Sequence, residues 1–374
     1  MNQSTKWIVG VIVVVAIVAI GYFVSKGPSG PVSTEPIKIG FIGPLTGDQA
    51  IYGSGVREGF DLALSEFLNL KFKGKPIQII YEDTGGDVKN AVSAFQKLTE
   101  IDKVSAIIQA GASQEAVALI KVAQDKRVPM YAVISQAPEL TEAGDFVFRG
   151  MPEILLLANK IAEATFGRGF KKAAILTATY NQATLAARDA FKKDFIELGG
   201  SIVDEEGFQK GVNDFRTQLS RIKAANPDVI FLNALTSEAA FILKQKAELG
   251  MNQQFVSQGA VEDKKIIEVA KAGSDGVIFA TFNAVPPQDF VDKVKVKYGF
   301  ESRRWNIEGY EAALFLVEAL KKAQTFGALG VRNAFAQVKE LDGVAGKLLF
   351  DDNGNITRSV HIKIIKNGNF ELYK

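Results

Sequence analysis

A glycine-rich loop near residue 50 is the first stretch of the chain whose composition suits ligand binding. Residues 37–55, IKIGFIGPLTGDQAIYGSG, lead from an apolar run through a Gly-Pro turn to Gly53 and Gly55. A dinucleotide site needs G-x-G-x-x-G directly after a strand, because the backbone must approach a pyrophosphate closely. Here the next glycine is Gly59, and Gly53 lies ten positions after Gly43. This spacing argues against a phosphate loop.

The groups that most often carry out nucleophilic and acid–base catalysis are nearly absent. The chain contains no cysteine and a single histidine, His361, which lies in the alternating, strand-like run SVHIKII. Neither a G-x-x-x-x-G-K-[ST] loop nor a G-x-S-x-G turn occurs. Residues 351–355, DDNGN, resemble the start of a calcium loop but lack its final acidic ligand, so they predict a hairpin turn. We therefore expect neither an enzyme nor a bound cofactor or metal.

The charge balance argues against a nucleic-acid partner. Lysine and arginine total 44 residues against 42 aspartates and glutamates, and no long basic run occurs. A surface that binds nucleic acid needs clustered cations, which this sequence does not predict. The length of 374 residues suits two domains, each with a core of its own.

The N-terminus predicts export of the rest of the chain. Residues 7–24 form an 18-residue apolar run without charge, flanked by Lys6 and Lys26. A helix of this length is about 27 Å long, close to the thickness of a bilayer core. We expect a retained transmembrane anchor, and a cleaved signal segment is the alternative. Residues 25–36 are mostly Gly, Pro, Ser and Thr and predict a flexible linker, so that a globular body begins near Ile37, outside the cytoplasm.

Beyond the linker, short apolar runs alternate with amphipathic segments in two series, residues 37–134 and residues 172–281. The runs are continuous rather than alternating, as in strands that are buried on both faces of a sheet. Helices are predicted between them, for example over residues 54–68 and 113–126. This alternation predicts an α/β fold with two doubly wound lobes of parallel strands. The final run, from residue 346 onward, predicts β-hairpins with Asn-Gly turns.

Two stretches of the body resemble a known family. The first, IKIGFIGPLTGDQAIYGSGVREGFDLALSEF, combines a Gly-Pro loop, a YG pair and a G-x-x-L-A helix. The second, AIIQAGASQEAVALIKVAQDKRVPMYAVISQAPELTEAGDFVFRGMP, contains PELTE and VFR. In this order they resemble the leucine/isoleucine/valine-binding family of periplasmic solute receptors, which serve ABC transporters. The resemblance extends over residues 37 to about 370.

The resemblance implies a type I periplasmic binding fold. Two Rossmann-like lobes, joined by three crossovers, would close on a ligand like a clamshell. Residues 37–150 and 284–344 would build lobe I, and residues 151–283 and 345–374 would build lobe II. The ligand would lie in the cleft, in agreement with the rule that ligands bind outside the carboxyl ends of parallel strands.

The resemblance also implies ligand-binding residues in lobe I. Ser113 follows a strand and opens a helix as its N-cap, where its hydroxyl and the neighbouring N–H groups suit a carboxylate. The loop VISQAPELT would supply a backbone group at Ile134 and a side chain at Gln136. Family members usually have Ser or Thr at the position of Gln136, and Ser135 lies beside it as a replacement.

Aromatic and hydroxyl side chains would complete the ligand contacts. Tyr52 matches an aromatic residue that covers the ligand, with interlobe packing as the alternative. Tyr310 matches a tyrosine on a helix that reaches the cleft, although its helical spacing also fits a core position. In lobe II the expected aromatic is replaced by Ala183, so we expect Tyr180 to contribute instead, together with Thr236 from the next loop.

The acidic partner that pairs with an amino acid's ammonium in the family is missing from its usual places. Gly259 occupies one of these positions and Ile154 the other. A buried ammonium without a countercharge is costly, on the order of several kcal/mol. The ligand is therefore expected to be a small carboxylate or another apolar-tailed polar solute, unless Glu153, Glu262 or Asp263 reaches the site.

Together these observations predict the solute receptor of an ABC importer, for a branched-chain amino acid or a related carboxylate. Its partners would be the small solute, an ABC permease and the membrane through the N-terminal segment, with no nucleic acid. It would act as a monomer outside the cytoplasm. The alternative is a sensory or regulatory ligand-binding protein of the same fold.

Overall fold

The computed structural model describes residues 35–67, 71–282, 286–344 and 346–373. Residues 7–24, the expected anchor or signal segment, and most of the expected linker lie outside the described residues. The strands are β1 (Ile37–Gly43), β2 (Ile77–Asp83), β3 (Ala106–Gln109), β4 (Met130–Ala132), β5 (Val147–Arg149), β6 (Lys172–Ala178), β7 (Ser201–Phe208), β8 (Val229–Asn233), β9 (Gln254–Gln258), β10 (Ile278–Thr281), β11 (Glu340–Gly343), β12 (Gly346–Phe350), β13 (Ile356–Thr357), β14 (His361–Lys366) and β15 (Asn369–Leu372).

The α-helices alternate with these strands in the first two thirds of the chain and then follow one another. They are α1 (Ala50–Glu66), α2 (Val88–Glu100), α3 (Ser113–Lys126), α4 (Ile154–Gly167), α5 (Gln182–Glu197), α6 (Arg216–Ala224), α7 (Thr236–Glu248), α8 (Lys264–Ala270), α9 (Gln288–Tyr298), α10 (Arg304–Lys322) and α11 (Ala328–Ala336). Among the described residues, no helix is both long and apolar enough to cross a membrane.

The first sheet is parallel throughout, with strand order β2-β1-β3-β4-β5. Its strands are apolar on both faces because helices cover both. In β1, Ile39 and Phe41 pack in a core with α1 and α10, whereas Ile42 points to a second core with α2 and α3. We call this sheet and its covering helices lobe I.

The second sheet has the order β15-β14-β10-β9-β8-β6-β7, in which β6 to β10 are parallel and β14 and β15 are antiparallel. It too is covered on both faces, since Ile175 and Leu176 of β6 lie in different cores. Asn367 and Gly368 adopt positive φ angles of 50° and 75° in the turn between β14 and β15, as a two-residue hairpin requires. We call this sheet and its helices lobe II, and the prediction of two doubly wound lobes is confirmed.

The last part of the chain differs from the expected lobe boundary. Residues 346–357 were expected in lobe II, but β12 and β13 join β11 in a small antiparallel sheet. Leu348, Phe350 and Ile356 from these strands are buried in the core of lobe I. The chain therefore crosses to lobe II for the last time between β13 and β14. The apolar side chains up to β13 are buried in lobe I, and β14 pairs with β10 of lobe II.

Helix α1 begins four residues earlier than the sequence pattern predicted, at Ala50 rather than residue 54. Tyr52, Gly53 and Gly55 therefore lie inside the helix and not in a loop before it. The glycines allow close packing: a Cβ at Gly53 would lie 2.3 Å from the carbonyl oxygen of Pro44, and one at Gly55 would lie 2.8 Å from the Cβ of Trp305. They hold α1 against its neighbours and do not shape a phosphate loop.

Candidate functional site

A cavity lies between the two lobes. Its walls come from the segments that follow the carboxyl ends of strands in both sheets, and from the first turns of α1 and α10. Ligands bind to open α/β sheets at this edge, because helix N-termini and loop backbone converge there. The lining side chains that can form hydrogen bonds are Tyr52, Ser113, Gln136, Asn181, Thr184, Gln258, Arg304 and Trp305.

Ser113 and Gln136 form a wall of the cavity in lobe I. Ser113 was expected to be the N-cap of α3, but this prediction is wrong, because Ala112 is the N-cap and Ser113 is the first helical residue. The Oγ of Ser113 accepts hydrogen bonds from the Oγ of Ser135 (3.2 Å) and from the backbone N–H of Gln136 (3.3 Å). These two bonds leave the hydroxyl proton of Ser113 available to donate to a ligand. The positive end of the α3 dipole adds to the suitability of this wall for an anion.

Tyr52 both lines the cavity and connects the lobes. Its hydroxyl accepts a hydrogen bond from the backbone N–H of Thr236 in lobe II, at 2.8 Å. Its ring meets the ring of Trp305 edge-on, with the centroids 5.0 Å apart. Burial raises the pKa of the Tyr52 hydroxyl, so that it stays protonated. The two roles considered for Tyr52, cavity wall and interlobe packing, are therefore compatible.

Hydrogen bonds within lobe II fix the polar floor of the cavity. Asn181 caps α5 by accepting from the backbone N–H of Ala183 (2.9 Å), and its Nδ2 donates to the Oε1 of Gln114 in lobe I (2.6 Å). Asn233 donates through Nδ2 to the carbonyl oxygen of Thr184 at 2.5 Å. Its Oδ1 accepts from the Nε2 of Gln258, also at 2.5 Å. The start of α5, β8 and β9 thus share one buried network.

Arg304 places a cation in the cavity wall at the start of α10. Its side chain is buried, with 5% of its surface exposed, and its guanidinium lies 4.6 Å above the Trp305 ring. A Cβ at Gly259 would lie 2.3 Å from the Nη1 of Arg304. The absence of a side chain at position 259 therefore makes room for the arginine.

The nearby acidic side chains face other partners. Glu153 accepts a hydrogen bond from the hydroxyl of Thr141. Glu262 forms a buried ion pair with Lys363, and Asp263 caps α8. Neither these three carboxylates nor any other Asp or Glu is among the described residues that line the cavity. In this conformation, none of these three carboxylates therefore takes the place of the missing acidic partner for an ammonium group.

An ion cluster lies where the chain crosses between the lobes. Arg358, which follows β13, donates to Glu311 (2.6 Å) and to the carbonyl oxygen of Gly150 (3.1 Å), and it lies 3.2 Å from Glu308. Burial raises the pKa of Glu308, and the positive charges of Arg358 and Arg304 oppose that rise. The cluster therefore connects two crossovers to α10, the helix that carries Arg304.

The structure brings some of the expected site residues together and leaves others apart. Tyr52, Ser113, Ile134 and Gln136 line the cavity, and Ser135 supports Ser113 from behind. The side chain of Thr236 donates to the carbonyl oxygen of Ala260 at 2.8 Å, so this residue supports the wall as well.

Two of the expected tyrosines do not line the cavity. The hydroxyl of Tyr180 donates to Glu238 at 2.5 Å. Tyr310 packs against Phe290 and donates to Glu66 at 2.8 Å. Tyr310 lies one and a half turns beyond Arg304 on α10, so its side chain faces α9 and the lobe I core, as the alternative reading of its helical spacing predicted.

Sequence reasoning missed Asn181, Gln258, Arg304 and Trp305 as cavity residues. Arg304 and Trp305 open α10, and nothing in their local sequence pattern indicates which lobe edge they reach. Asn181 carried a usable signal, because an Asn directly before a helix predicts an N-cap at a strand's carboxyl end.

The comparisons with known proteins agree with this fold. A family model described as "Periplasmic binding protein" matches residues 36–369. The Leu/Ile/Val-binding protein homolog 2 of Brucella abortus is 26% identical over 345 residues, which cover 89% of this chain and 91% of that protein.

Two solved structures resemble the chain over nearly its whole length. The leucine binding protein LivK of Thermotoga maritima superposes with a TM-score of 0.84 and is 27% identical, covering 90% of this chain and 98% of that one. A solute binding protein of an ABC transporter from Rhodopseudomonas palustris, in complex with 3,4-dihydroxybenzoic acid, gives a TM-score of 0.83 at 24% identity. It covers 91% of this chain and 96% of its own, and at that identity the likeness concerns the fold alone.

Proposed function

Because the chain belongs to the periplasmic binding protein family, we propose that it is the extracytoplasmic solute receptor of an ABC importer. It captures a small carboxylate with an apolar body in the cavity between its lobes and presents it to the permease. One observation carries this proposal: among the described residues, the cavity lining includes an arginine and several hydrogen-bond donors but no carboxylate side chain.

The donors of the cavity suit an anion. The hydroxyl of Ser113 has a proton to donate, and the Nε2 of Gln136 and the Nε1 of Trp305 are buried without a hydrogen-bond partner among the described residues. A buried donor that stays unpaired costs about 1–3 kcal/mol, and a ligand oxygen removes this cost. Arg304 adds a full positive charge on the same lining, and hydrogen bonds from charged donors to carboxylates are the strong ones.

An α-ammonium is disfavoured by the same arrangement. An α-ammonium in this cavity would need an anionic partner. Gly259 offers none, and the guanidinium of Arg304 occupies the adjacent space. A second cation in a buried site beside Arg304 would be repelled and would lose its hydration without compensation. The receptor therefore selects carboxylates that lack an amino group.

The rest of the cavity suits an apolar or aromatic body. Its lining includes the side chains of Ile134, Ile154 and Leu235 and the ring of Trp305. One structural neighbour is a leucine binding protein and another holds 3,4-dihydroxybenzoic acid. Leucine and 3,4-dihydroxybenzoic acid are both small carboxylates with an apolar body. Only 3,4-dihydroxybenzoic acid lacks an ammonium group, and it therefore fits the positive charge of this cavity better.

Closure of the lobes around the solute provides the form that a permease recognises. The receptor works as a monomer outside the cytoplasm. Residues 7–24 tether it to the membrane, and the linker up to residue 36 lets it reach its permease. Tethering raises the effective concentration of the receptor beside the permease without new contacts.

A thermal-shift screen of the full chain tests the proposal. The panel contains benzoate, 4-hydroxybenzoate, 3,4-dihydroxybenzoate and 4-methylpentanoate, with leucine, isoleucine and valine as the amino-acid set. We expect the melting temperature to rise with one or more of the carboxylates, because a ligand that binds only the folded state stabilises it. Stabilisation by leucine or valine at micromolar concentration, with none by the carboxylates, would contradict the proposed solute class.

A further inference from the structure

The orientation of the Gln258 amide is fixed by its neighbours. The backbone carbonyl of Thr184 can only accept, so Asn233 must present Nδ2 to it, and Oδ1 of Asn233 is left to accept from Gln258. Gln258 therefore uses Nε2 in this bond and holds Oε1 as an acceptor. The strand around Gln258 restrains it further, because the Oγ of Ser257 donates to the carbonyl oxygen of Leu232 at 2.7 Å.

The Oε1 of Gln258 is buried and accepts no hydrogen bond from the described residues. Gln258 itself is 4% exposed and lines the cavity. An acceptor left unpaired in such a place is destabilising, whereas a donor on the ligand satisfies it. The other unpaired polar atoms on cavity-lining side chains, Nε2 of Gln136 and Nε1 of Trp305, are donors. Among the buried, unpaired side-chain atoms of the described lining residues, the Oε1 of Gln258 is therefore the one acceptor.

We propose that the solute is a hydroxylated carboxylic acid and that the Oε1 of Gln258 accepts a hydrogen bond from its hydroxyl group. This rests on the proposed function and narrows its ligand class. The carboxylate of the solute meets the donors of Ser113, Gln136 and Arg304. An ammonium is not the donor that Gln258 binds, since it would need further acceptors and a countercharge. A hydroxyl needs only one acceptor and carries no charge.

The test compares ligands that differ in this hydroxyl alone. Dissociation constants of the full chain are measured by calorimetry for 3- and 4-hydroxybenzoate, for their methyl isosteres 3- and 4-methylbenzoate, and for benzoate. We expect at least one hydroxybenzoate to bind about tenfold more tightly than its methyl isostere. In the variant Gln258→Met, which keeps the volume but loses both the acceptor and the hydrogen bond to Asn233, this preference should fall to about twofold or less.

Gln254→Met is the matched control, because Gln254 lies on the same strand and its amide donates to the carbonyl oxygens of Phe255 and Gly276, away from the cavity. It should keep the full hydroxyl preference. Equal affinities for the hydroxyl and methyl ligands in the wild-type protein overturn the inference even if the Gln258 variant does not fold. A preference that survives Gln258→Met also overturns it. If neither benzoate nor any of its derivatives binds, the inference fails. The proposed solute class fails only if 4-methylpentanoate does not bind either, which separates the two failures.

Discussion

At the scale of single residues, a glycine at position 259 and an arginine at position 304 together determine the charge of the cavity. A side chain at position 259 would collide with the guanidinium, since even its Cβ would lie 2.3 Å from Nη1. The glycine is therefore needed for the arginine to lie where it does. In the proposed function, this pair of residues replaces the anionic partner of an ammonium group by a cation that binds a carboxylate.

Replacing Arg304 tests this role. Arg304→Gln should weaken binding of a carboxylate solute by about 10- to 100-fold, because a hydrogen bond from a charged donor is worth about 1.5–3 kcal/mol. Titration calorimetry of the wild type and the variant measures the change. Arg303→Gln is the control: it removes the same charge one residue earlier, from a guanidinium that lies over the Phe300 ring and does not line the cavity. Equal losses in both variants would indicate a general charge effect and not a contact with the solute.

Glu115 gives the protein a pH-dependent stability. It is buried in the first turn of α3, and this burial raises the pKa of Glu115 to about 7, against weaker opposing effects of Thr84 and Lys210. Because the folded protein binds this proton more tightly than the unfolded chain, the stabilisation is complete below about pH 4.5. It is lost as the pH rises through about 7.

Urea denaturation at pH 5 and pH 8 measures this contribution. The wild type should lose more free energy of unfolding between these values than Glu115→Gln, which cannot titrate. Glu163→Gln on the exposed face of α4 serves as the control and should follow the wild type. The same pH dependence in all three proteins would exclude a role for Glu115.

At the scale of elements, the close contact of α1 and α10 positions the lobe I side of the cavity. A Cβ at Gly309 would lie 1.8 Å from the carbonyl oxygen of Val56, and one at Gly59 would lie 1.9 Å from that of Asn306. The two helices thus touch backbone to backbone. This contact brings Tyr52 at the start of α1 next to Trp305 at the start of α10.

A methyl group at this contact should separate the helices. Gly309→Ala should lower the free energy of unfolding by about 3 kcal/mol or more, because the obstacle is backbone and cannot move as a side chain does. Gly167→Ala at the end of α4, with no atom within 4 Å of its added Cβ, is the control. It should be neutral or slightly stabilising. Chemical denaturation compares the two, and a similar small effect in both would contradict the close packing.

The fold could be predicted from the sequence to a large extent because continuous apolar runs indicate buried strands. The two predicted series of runs, residues 37–134 and 172–281, contain β1 to β4 and β6 to β10. The start of α1 was misplaced because Gly53 and Gly55 usually mark a loop, whereas here they allow helix packing. Residues 346–357 were assigned to lobe II, since a hairpin pattern does not tell which core its apolar side chains enter.

The site was harder to predict than the fold. Ser113 and Gln136 follow strands, so their place at the sheet edge could be inferred from the pattern. Arg304 and Gln258 come from distant parts of the chain, and only their arrangement in space reveals a cation and an unpaired acceptor on one cavity. Local sequence patterns do not predict how residues from distant parts of the chain are arranged around one cavity.

At the scale of the whole molecule, hydrogen bonds join the two lobes, as is typical of a closed arrangement. The Nδ2 of Asn181 donates to Gln114 (2.6 Å), and the Nζ of Lys210 donates to the carbonyl oxygen of Gly86 (2.7 Å). Tyr52 and Thr236 add a third such bond. The described residues add the Oγ of Ser237, 3.5 Å from the carbonyl oxygen of Asp48, and an ion pair of Lys264 with Glu301. Bonds of about 1 kcal/mol each in this small number allow the lobes to open without solute.

Small-angle scattering should therefore detect closure. The radius of gyration of the solute-free protein should decrease when a carboxylate that raises its melting temperature is added, because the ligand stabilises the closed arrangement. Glycine at the same concentration provides a control for solvent contrast. An unchanged scattering profile at saturating ligand would contradict hinge closure.

Titration calorimetry with two matched ligand pairs tests whether the cavity selects a carboxylate without an α-ammonium. The pairs are leucine with 4-methylpentanoate and phenylalanine with 3-phenylpropanoate, whose members differ only in the amino group. We predict that in a pair that binds, the acid without the amino group binds at least tenfold more tightly, because Arg304 and not a carboxylate lies beside Gly259. Equal or tighter binding of leucine or phenylalanine would contradict the account.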